Sequence, residues 1–489
     1  MTLLLRSRRV LLGQGDDGFR LVPAEILIER GHIQVVAETT PDDFPERGPA
    51  VELVDLGEQI ITPAFVNAHT HLAMSAFRGL ASPRVMTGNV VEELYFCLES
   101  HLQPGDVRAF SRIAAWESML AGVGCVWDHY YFGGEIIDAL RDVGLEGIVA
   151  PTLQDLAGPG VPQLDSQWES TVQLAGDPSL AADGIGVALG PHATDTVSPD
   201  LWRRIARTSA DLKLPIHVHV AQSIEEYERS LSRHGVSPVA GLERDGVLEA
   251  AERLLLVHGL FVSRHDLTLL SGDRHMLVHC PWSQVQFGFP APERAWLDAG
   301  IPLALGTDCG ACNDTMDVQR ELKMMAWGPS YATSWSPQAE HFLDDGTLGS
   351  ARLLQARRTE QIGQQLLSGT TERLLDAVWS VPGSAHPGFL QGVIAPGRRA
   401  NLAVWDPHHP SLWPGNDFLH GFIMGGLAGA LRGLYLGGQA VIDPEVGPSS
   451  VLSDPRLTAH RQEANERLAL LLERAEVDPQ PWKRRASNS

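Results

Sequence analysis

His69 and His71 close an apolar run, Phe65-Val66-Asn67-Ala68-His69-Thr70-His71. In an extended strand, positions i and i+2 face the same side, so this spacing aims two imidazoles at one point, as a divalent cation requires. A second His-x-His stands in Ile216-His217-Val218-His219-Val220, His258 follows Leu254-Leu255-Leu256-Val257, and Gly306-Thr307-Asp308 ends another apolar run. Each of these sits at the carboxyl end of a strand-like segment, where barrel enzymes build their sites. Taken together they point to a metal-dependent hydrolase.

The elements that must carry these residues alternate. Strand-like runs such as Gly124–Trp127, Gly147–Ala150, Ile185–Leu189 and Met276–His279 are separated by helix-length segments. About 320 residues of βα alternation predict an α/β fold, a (β/α)8 TIM barrel with insertions. The N-terminal region reads as strands and turns, with a hairpin around Glu29-Arg30-Gly31-His32, and similar material returns in Asn401–Trp405 and Leu434–Ile442. The two ends are therefore expected to form a small β-sandwich. The resulting organisation is 1–62 and 391–450 for the two halves of the sandwich, 63–390 for the barrel, and 451–489 for a C-terminal helix and tail. Asp454 as N-cap and Pro455 at the first helical position start that helix. Leu468, Leu471 and Leu472 predict that it packs on the body or on a second subunit, and Lys483-Arg484-Arg485 reads as a solvated end.

The formal charge of −22 over 489 residues argues against a nucleic-acid partner and favours a weakly charged substrate over a phosphorylated one. The mean hydropathy of −0.07 is that of an ordinary water-soluble chain. Five scattered cysteines do not describe a disulfide framework. Cys309 and Cys312 form a C-x-x-C after Asp308, but without a thioredoxin-like context they read as a small-residue loop at a barrel rim. Met1–Arg6 reads as a strand rather than a signal peptide, and the apolar stretch Phe422–Leu431 is too short, and too broken by glycine, to span a bilayer. A cytoplasmic protein without a membrane partner is expected. A homo-oligomer is compatible with the chain, but no interface is legible in it.

The ordered set His69, His71, His219, His258 and Asp308 resembles the amidohydrolase superfamily, in the branch holding S-adenosylhomocysteine and methylthioadenosine deaminases, guanine deaminase and triazine hydrolases. The resemblance covers nearly the whole chain. "PAFVNAHTHLAMSAFRG" looks like the strand-one motif, "GPHATDTVSP" is close to "GPHAPYTxSP", and "HVHVAQS" parallels "HxHxAET". "LLLVHG" keeps a strand-six histidine, "HCPWSQ" parallels "HNPxSN", "LALGTD" ends strand eight, and "GVIAPGRRANLAVWD" resembles the return into the sandwich. The resemblance implies that His69, His71, His219 and Asp308 hold one metal, zinc first and iron(II) as the alternative, with a water activated on it. Asp308 would also serve as general base, His258 would orient the nucleophile, and His192 and His279 would contact a small heterocyclic substrate. His217 is left structural. The bridging lysine of two-metal relatives has no counterpart in Ile185–His192, so the site is expected to be mononuclear.

One position departs from the pattern. Deaminases of this branch carry Glu three residues after the strand-five histidine, and here Gln222 stands there. An amide donates a hydrogen bond but cannot shuttle a proton, and general acid–base catalysis contributes on the order of 10² to 10⁴ in rate. Three readings follow. The first is an aminohydrolase releasing ammonia from an amidine-like ring carbon, with Glu225, Glu226, Asp195, Asp128 or His129 moving the proton. The second is a hydrolytic dehalogenase or cyclic amide hydrolase, and the third a metal-binding homologue with little catalysis. The first is preferred. "HCPWSQ" also places Cys280 and Gln284 where relatives keep Asn, so the polar contacts of the pocket must differ.

Overall fold

The computed structural model describes residues 2–13, 18–40, 51–80, 89–287, 291–332, 336–368 and 371–477. The chain opens with β1 (Thr2–Gly13), β2 (Phe19–Glu29), β3 (His32–Glu38), β4 (Glu52–Asp55) and β5 (Ile60–Pro63). The parallel strands follow: β6 (Phe65–His71), β7 (Val123–Tyr130), β8 (Glu146–Leu153), β9 (Ile185–Val187), β10 (Gly190–Pro191), β11 (Ile216–Val220), β12 (Leu254–His258), β13 (His275–His279), β14 (Leu303–Leu305) and β15 (Asp308–Cys309). Strands β16 (Leu402–Trp405), β17 (Leu431–Leu436) and β18 (Gln439–Ile442) complete the set.

The architecture is α/β with parallel sheets. One sheet runs β10-β8-β7-β6-β15, with β9 beside β8, and a second runs β11-β12-β13-β14. Bridges Leu189–Ile216 and Ala193–His219 link the two sheets on one side. On the other, β14 pairs with β13 and the adjoining β15 pairs with β6. Every residue of β6, β7, β8, β11, β12 and β13 is buried. This is why these segments read as continuous apolar runs: a parallel strand covered on both faces leaves no polar side to alternate with. Between them lie amphipathic helices such as Pro199–Leu212, begun by Ser198, whose Oγ accepts the Leu201 N–H at 3.2 Å.

The two ends of the chain meet. They join in one hydrogen-bonded sheet of order β18-β17-β16-β5-β1-β2-β3, with β4 on β1, where Leu402 of β16 pairs with Pro63 of β5. A buried ion pair locks this sheet to the parallel strands. Arg399 Nε donates to Glu146 Oε2 at 2.6 Å, and Asn401 Nδ2 reaches the same oxygen at 2.6 Å. Asp454 caps the helix Pro455–Arg474, as its sequence predicts. That helix packs on the body, against Pro104–Leu120, through Arg112 Nη2 to Glu463 Oε2 at 2.8 Å and Trp116 Nε1 to His460 Nδ1 at 3.1 Å. The basic tail Lys483-Arg484-Arg485 lies outside the described residues. Among the described residues, no helix is long and apolar enough to cross a membrane.

Candidate metal centre

Five side chains converge from the carboxyl ends of β6, β11 and β12 and from the first residue of β15. Asp308 Oδ1 lies 3.7 Å from His69 Nε2 and 3.5 Å from His71 Nε2. His219 Nε2 faces His71 Nε2 at 3.3 Å, and His258 Nε2 stands 3.9 Å from Asp308 Oδ2. Strand register explains the meeting: β15 pairs with β6 so that Asp308 sits opposite Thr70, between the two histidines of that strand. His258 and Asp308 turn inward on left-handed backbone, at φ +76° and +59°. Non-glycine residues hold that conformation at a cost of about 1–3 kcal/mol, which the surrounding structure must offset.

The outer ring nitrogens decide what the inner ones present. His71 Nδ1 bonds the carbonyl of His129, and His219 Nδ1 bonds the carbonyl of His192 at 2.7 Å. A carbonyl only accepts, so each Nδ1 carries the proton and each Nε2 turns a lone pair inward. Burial, reinforced by neighbouring imidazoles, holds His71 down to about 3 and His219 well below the ordinary range, so both are neutral at pH 7. Two lone pairs thus confront each other beside a carboxylate. His69 Nε2, fully buried, points into the same space without a hydrogen-bond partner. A cation resolves all of these contacts together, and three nitrogens with one oxygen are a donor set that suits zinc.

Asp308 is poised for that role. Burial pushes its carboxyl up, but the surrounding imidazoles of His69, His258 and His71 outweigh it and hold the group well below the usual carboxylate range, so it is ionised. Ser283 Oγ donates to Asp308 Oδ2 at 2.6 Å, and Thr70 Oγ1 donates to the Asp308 carbonyl at 3.0 Å. Asn67 fixes the preceding residue, accepting the Thr307 N–H at 3.0 Å and donating to Thr307 Oγ1 at 2.8 Å. His217, the other member of the second His-x-His, is no onlooker: its Nε2 meets His69 Nδ1 at 3.0 Å and sets that ring. Burial holds His258 at about 3, and neither of its ring nitrogens has a partner.

A cavity of about 50 Å³ opens onto this cluster, lined by His71, His219, His258 and Asp308 together with His192, Gln222, Glu99, Tyr130 and both cysteines of the C-x-x-C. It shares Val91, Phe96, His192 and Gln222 with an adjoining space of about 90 Å³. His192 Nδ1 meets Thr196 Oγ1 at 3.0 Å. His279 is buried, but its Nε2 is directed to Glu293 Oε1 at 2.8 Å and it does not line the cavity. The proton-carrier candidates of the sequence are also accounted for. Glu226 accepts the backbone N–H groups of Ala221 and Gln222 at 2.9 and 2.7 Å, and Asp195 pairs with Arg229 at 2.9 Å. Asp128 accepts the Leu72 N–H at 2.7 Å, and His129 Nε2 meets the Gly190 carbonyl at 3.1 Å. Glu225 lines only the outer space. Ser283 and Glu99 went unnoticed in the sequence. Ser283 was within reach, inside the "HCPWSQ" motif, whereas Glu99 lies on a four-residue helix, Phe96–Glu99, that carries no pattern.

Comparison with known proteins places this geometry. The chain is 27% identical to a 5-methylthioadenosine/S-adenosylhomocysteine deaminase of Pyrococcus abyssi over 457 residues, covering 90% of this chain and 94% of that one. Its fold resembles a zinc-bound adenosine deaminase from Xanthomonas campestris, with a TM-score of 0.75, 20% identity and coverage of 96% and 98%. It also resembles an atrazine chlorohydrolase from Arthrobacter aurescens, with a TM-score of 0.73, 22% identity and coverage of 94% and 99%. These likenesses give a TIM-barrel-like α/β fold. The amidohydrolase family model matches residues 60–357, a span holding every histidine of the cluster and Asp308, and the chain belongs to that family.

Proposed function

We propose that this protein is a metal-dependent aminohydrolase that attacks an amidine-like carbon of a nitrogen heterocycle and releases ammonia. The observation carrying the proposal is the pair of inward lone pairs on His71 and His219 beside ionised Asp308, an arrangement that calls for a cation. The deaminase relative, aligned over nine-tenths of the chain, supports the reaction class. The parallel strands, returning from β15 to β6, are read as a closed (β/α)8 barrel over 63–390. The segments 1–62 and 391–450 form the sandwich beside it, and 451–489 the helix and tail. Free thiols at all five cysteines fit a cytoplasmic setting.

His69, His71, His219 and Asp308 would hold the metal, zinc by donor chemistry. When bound, such an ion acts as a Lewis acid and brings the pKa of a coordinated water to about 7. Asp308 takes the proton of the attacking water, with Ser283 fixing one carboxylate oxygen. His258, neutral and unpartnered, orients the nucleophile and stabilises charge developing on the added oxygen. His192 and the Gln222 amide bind the ring from the cavity wall. His279, held by Glu293, supports that wall from behind. The outer space carries Glu92, Asp195, Glu225 and Glu226 against a single arginine, Arg229, which is itself bonded to Glu92 at 2.5 Å and Asp195 at 2.9 Å. Such a mouth repels phosphate and suits a base or nucleoside.

A second reading, displacement of halide, is favoured by Gln222, because chloride leaves without needing a proton. Metal analysis followed by an ammonia- and halide-release panel of aminopurines, their nucleosides and chlorinated rings tests both. One zinc per chain, ammonia release, loss of turnover on chelation and its return with zinc are expected. Protein that carries no stoichiometric metal and loses nothing on chelation overturns the proposal, and halide release without ammonia selects the second reading.

A further inference from the structure

We propose that Glu99 is the proton carrier of this site, the part that Gln222 cannot play. The inference rests on the aminohydrolase reading above. Asp308 and Glu99 are the only carboxyl groups among the described residues lining the inner cavity. Asp308 is committed to the imidazoles and Ser283. Glu99 is 7% exposed and forms no ion pair with an arginine, lysine or histidine among the described residues. Burial, opposed by the nearby Tyr130 hydroxyl, raises it to about 7, which suits a group that must both give and take a proton near neutrality. The other acids near the site do not line that cavity: Glu226 holds two backbone N–H groups and Thr194, Asp195 pairs with Arg229, and Asp128 accepts the Leu72 N–H through one oxygen.

The proton inventory closes with two carboxyls. As the water oxygen bonds to the ring carbon, the C=N π pair moves to the ring nitrogen, which takes the proton of Glu99, while Asp308 receives the first proton of the water. The C–N bond to the amino group then breaks with its electron pair on that nitrogen, which takes the proton from Asp308 and departs as ammonia. The remaining O–H proton passes to the Glu99 carboxylate as the carbonyl forms, so both acids return to their starting states. The net change is amine plus water to carbonyl plus ammonia.

The test compares metal-loaded wild type, Glu99→Gln, Gln222→Glu and the double variant on a 6-aminopurine nucleoside and its 6-chloro analogue, with zinc content and thermal melting measured for each. Glu99→Gln is expected to lower kcat about 10²- to 10⁴-fold on both substrates, since the ring nitrogen needs its proton during water addition whichever group departs, and to leave KM within severalfold. Adding Gln222→Glu to it is expected to restore ammonia release at least tenfold, which a merely structural defect at position 99 would not permit. Should Glu99→Gln fail to melt cooperatively, Glu99→Ala with added formate takes its place, and a rate rising with formate supports the assignment. An active wild type with an unimpaired Glu99→Gln, or a loss that Gln222→Glu does not restore, overturns the role of Glu99 alone. A zinc-loaded wild type that releases no ammonia from any member of the panel overturns the aminohydrolase reading and this one with it.

Discussion

Ser283 Oγ donates to Asp308 Oδ2 at 2.6 Å, and this bond divides the carboxylate between two tasks. Oδ1 is left to His69 and His71, while Oδ2 faces the serine and, at 3.9 Å, His258. A carboxylate held by one oxygen cannot swing, so the oxygen offered to the metal is fixed and the oxygen that takes a proton is fixed as well. The backbone strain at Asp308 is offset by the same network, through Thr70 on its carbonyl and Asn67 on the residue before it.

Ser283→Ala should therefore lower turnover about 10- to 100-fold, the usual effect of losing a bond to a metal-ligating group. Metal content should stay near one per chain, because the ligand atoms themselves are untouched. Steady-state kinetics alongside metal analysis checks this. An unchanged kcat would mean that the serine packs against Asp308 without steering it.

His217→Phe isolates a different support. The imidazole Nε2 that meets His69 Nδ1 at 3.0 Å disappears, while a ring of similar size keeps the wall filled. A ligand ring free to tilt binds metal less well, so zinc affinity should fall about 10- to 100-fold. Competition with a chromophoric chelator reads this directly. Turnover at saturating zinc should recover most of the wild-type rate, which separates weaker binding from damaged chemistry.

Much of this site is legible in the chain because strand geometry is local. The two-residue period that places His69 beside His71 needs no tertiary knowledge, and the apolar runs ending at His258 and Asp308 announce buried parallel strands. Order along the chain then supplies the resemblance. What the sequence hides depends on contacts between distant segments. Ser283 matters only because the helix after β13 brings its hydroxyl to Asp308, and His217 looks like the spare member of a pair until its ring meets His69. His279 shows the converse. Its place at a strand end suggests a substrate contact, yet Glu293, fourteen residues on, draws its ring away from the cavity. Glu99 hides most completely, since a four-residue helix has no period to read and its burial beside the cavity comes only from the folded chain.

The loop after Asp308 is held by a buried acid whose protonation should be visible in stability. Glu321 accepts the Trp282 N–H at 3.0 Å and Asn313 Nδ2 at 2.6 Å, and Asn313 in turn donates to the Thr307 carbonyl at 2.8 Å. Burial is the main force raising Glu321 to about 8, against the hydrogen bonds that favour its charged form. Above its unfolded value of 4.5 the unfolded chain releases this proton while the folded chain keeps it. The folded state then binds more protons, so its advantage is fully present below 4.5 and declines as pH rises toward 8. Glu321→Gln has no proton to lose, whatever its absolute stability. The stability of wild type relative to this variant should fall between pH 5 and 8 by roughly 1.4 kcal/mol per pH unit at most. Denaturant titrations of both proteins across that range, with the shared titrations of the histidines cancelling in the difference, measure the slope. A flat difference would place the Glu321 carboxyl in its ordinary ionised form, and the loop would then be anchored by charge rather than by a neutral acid.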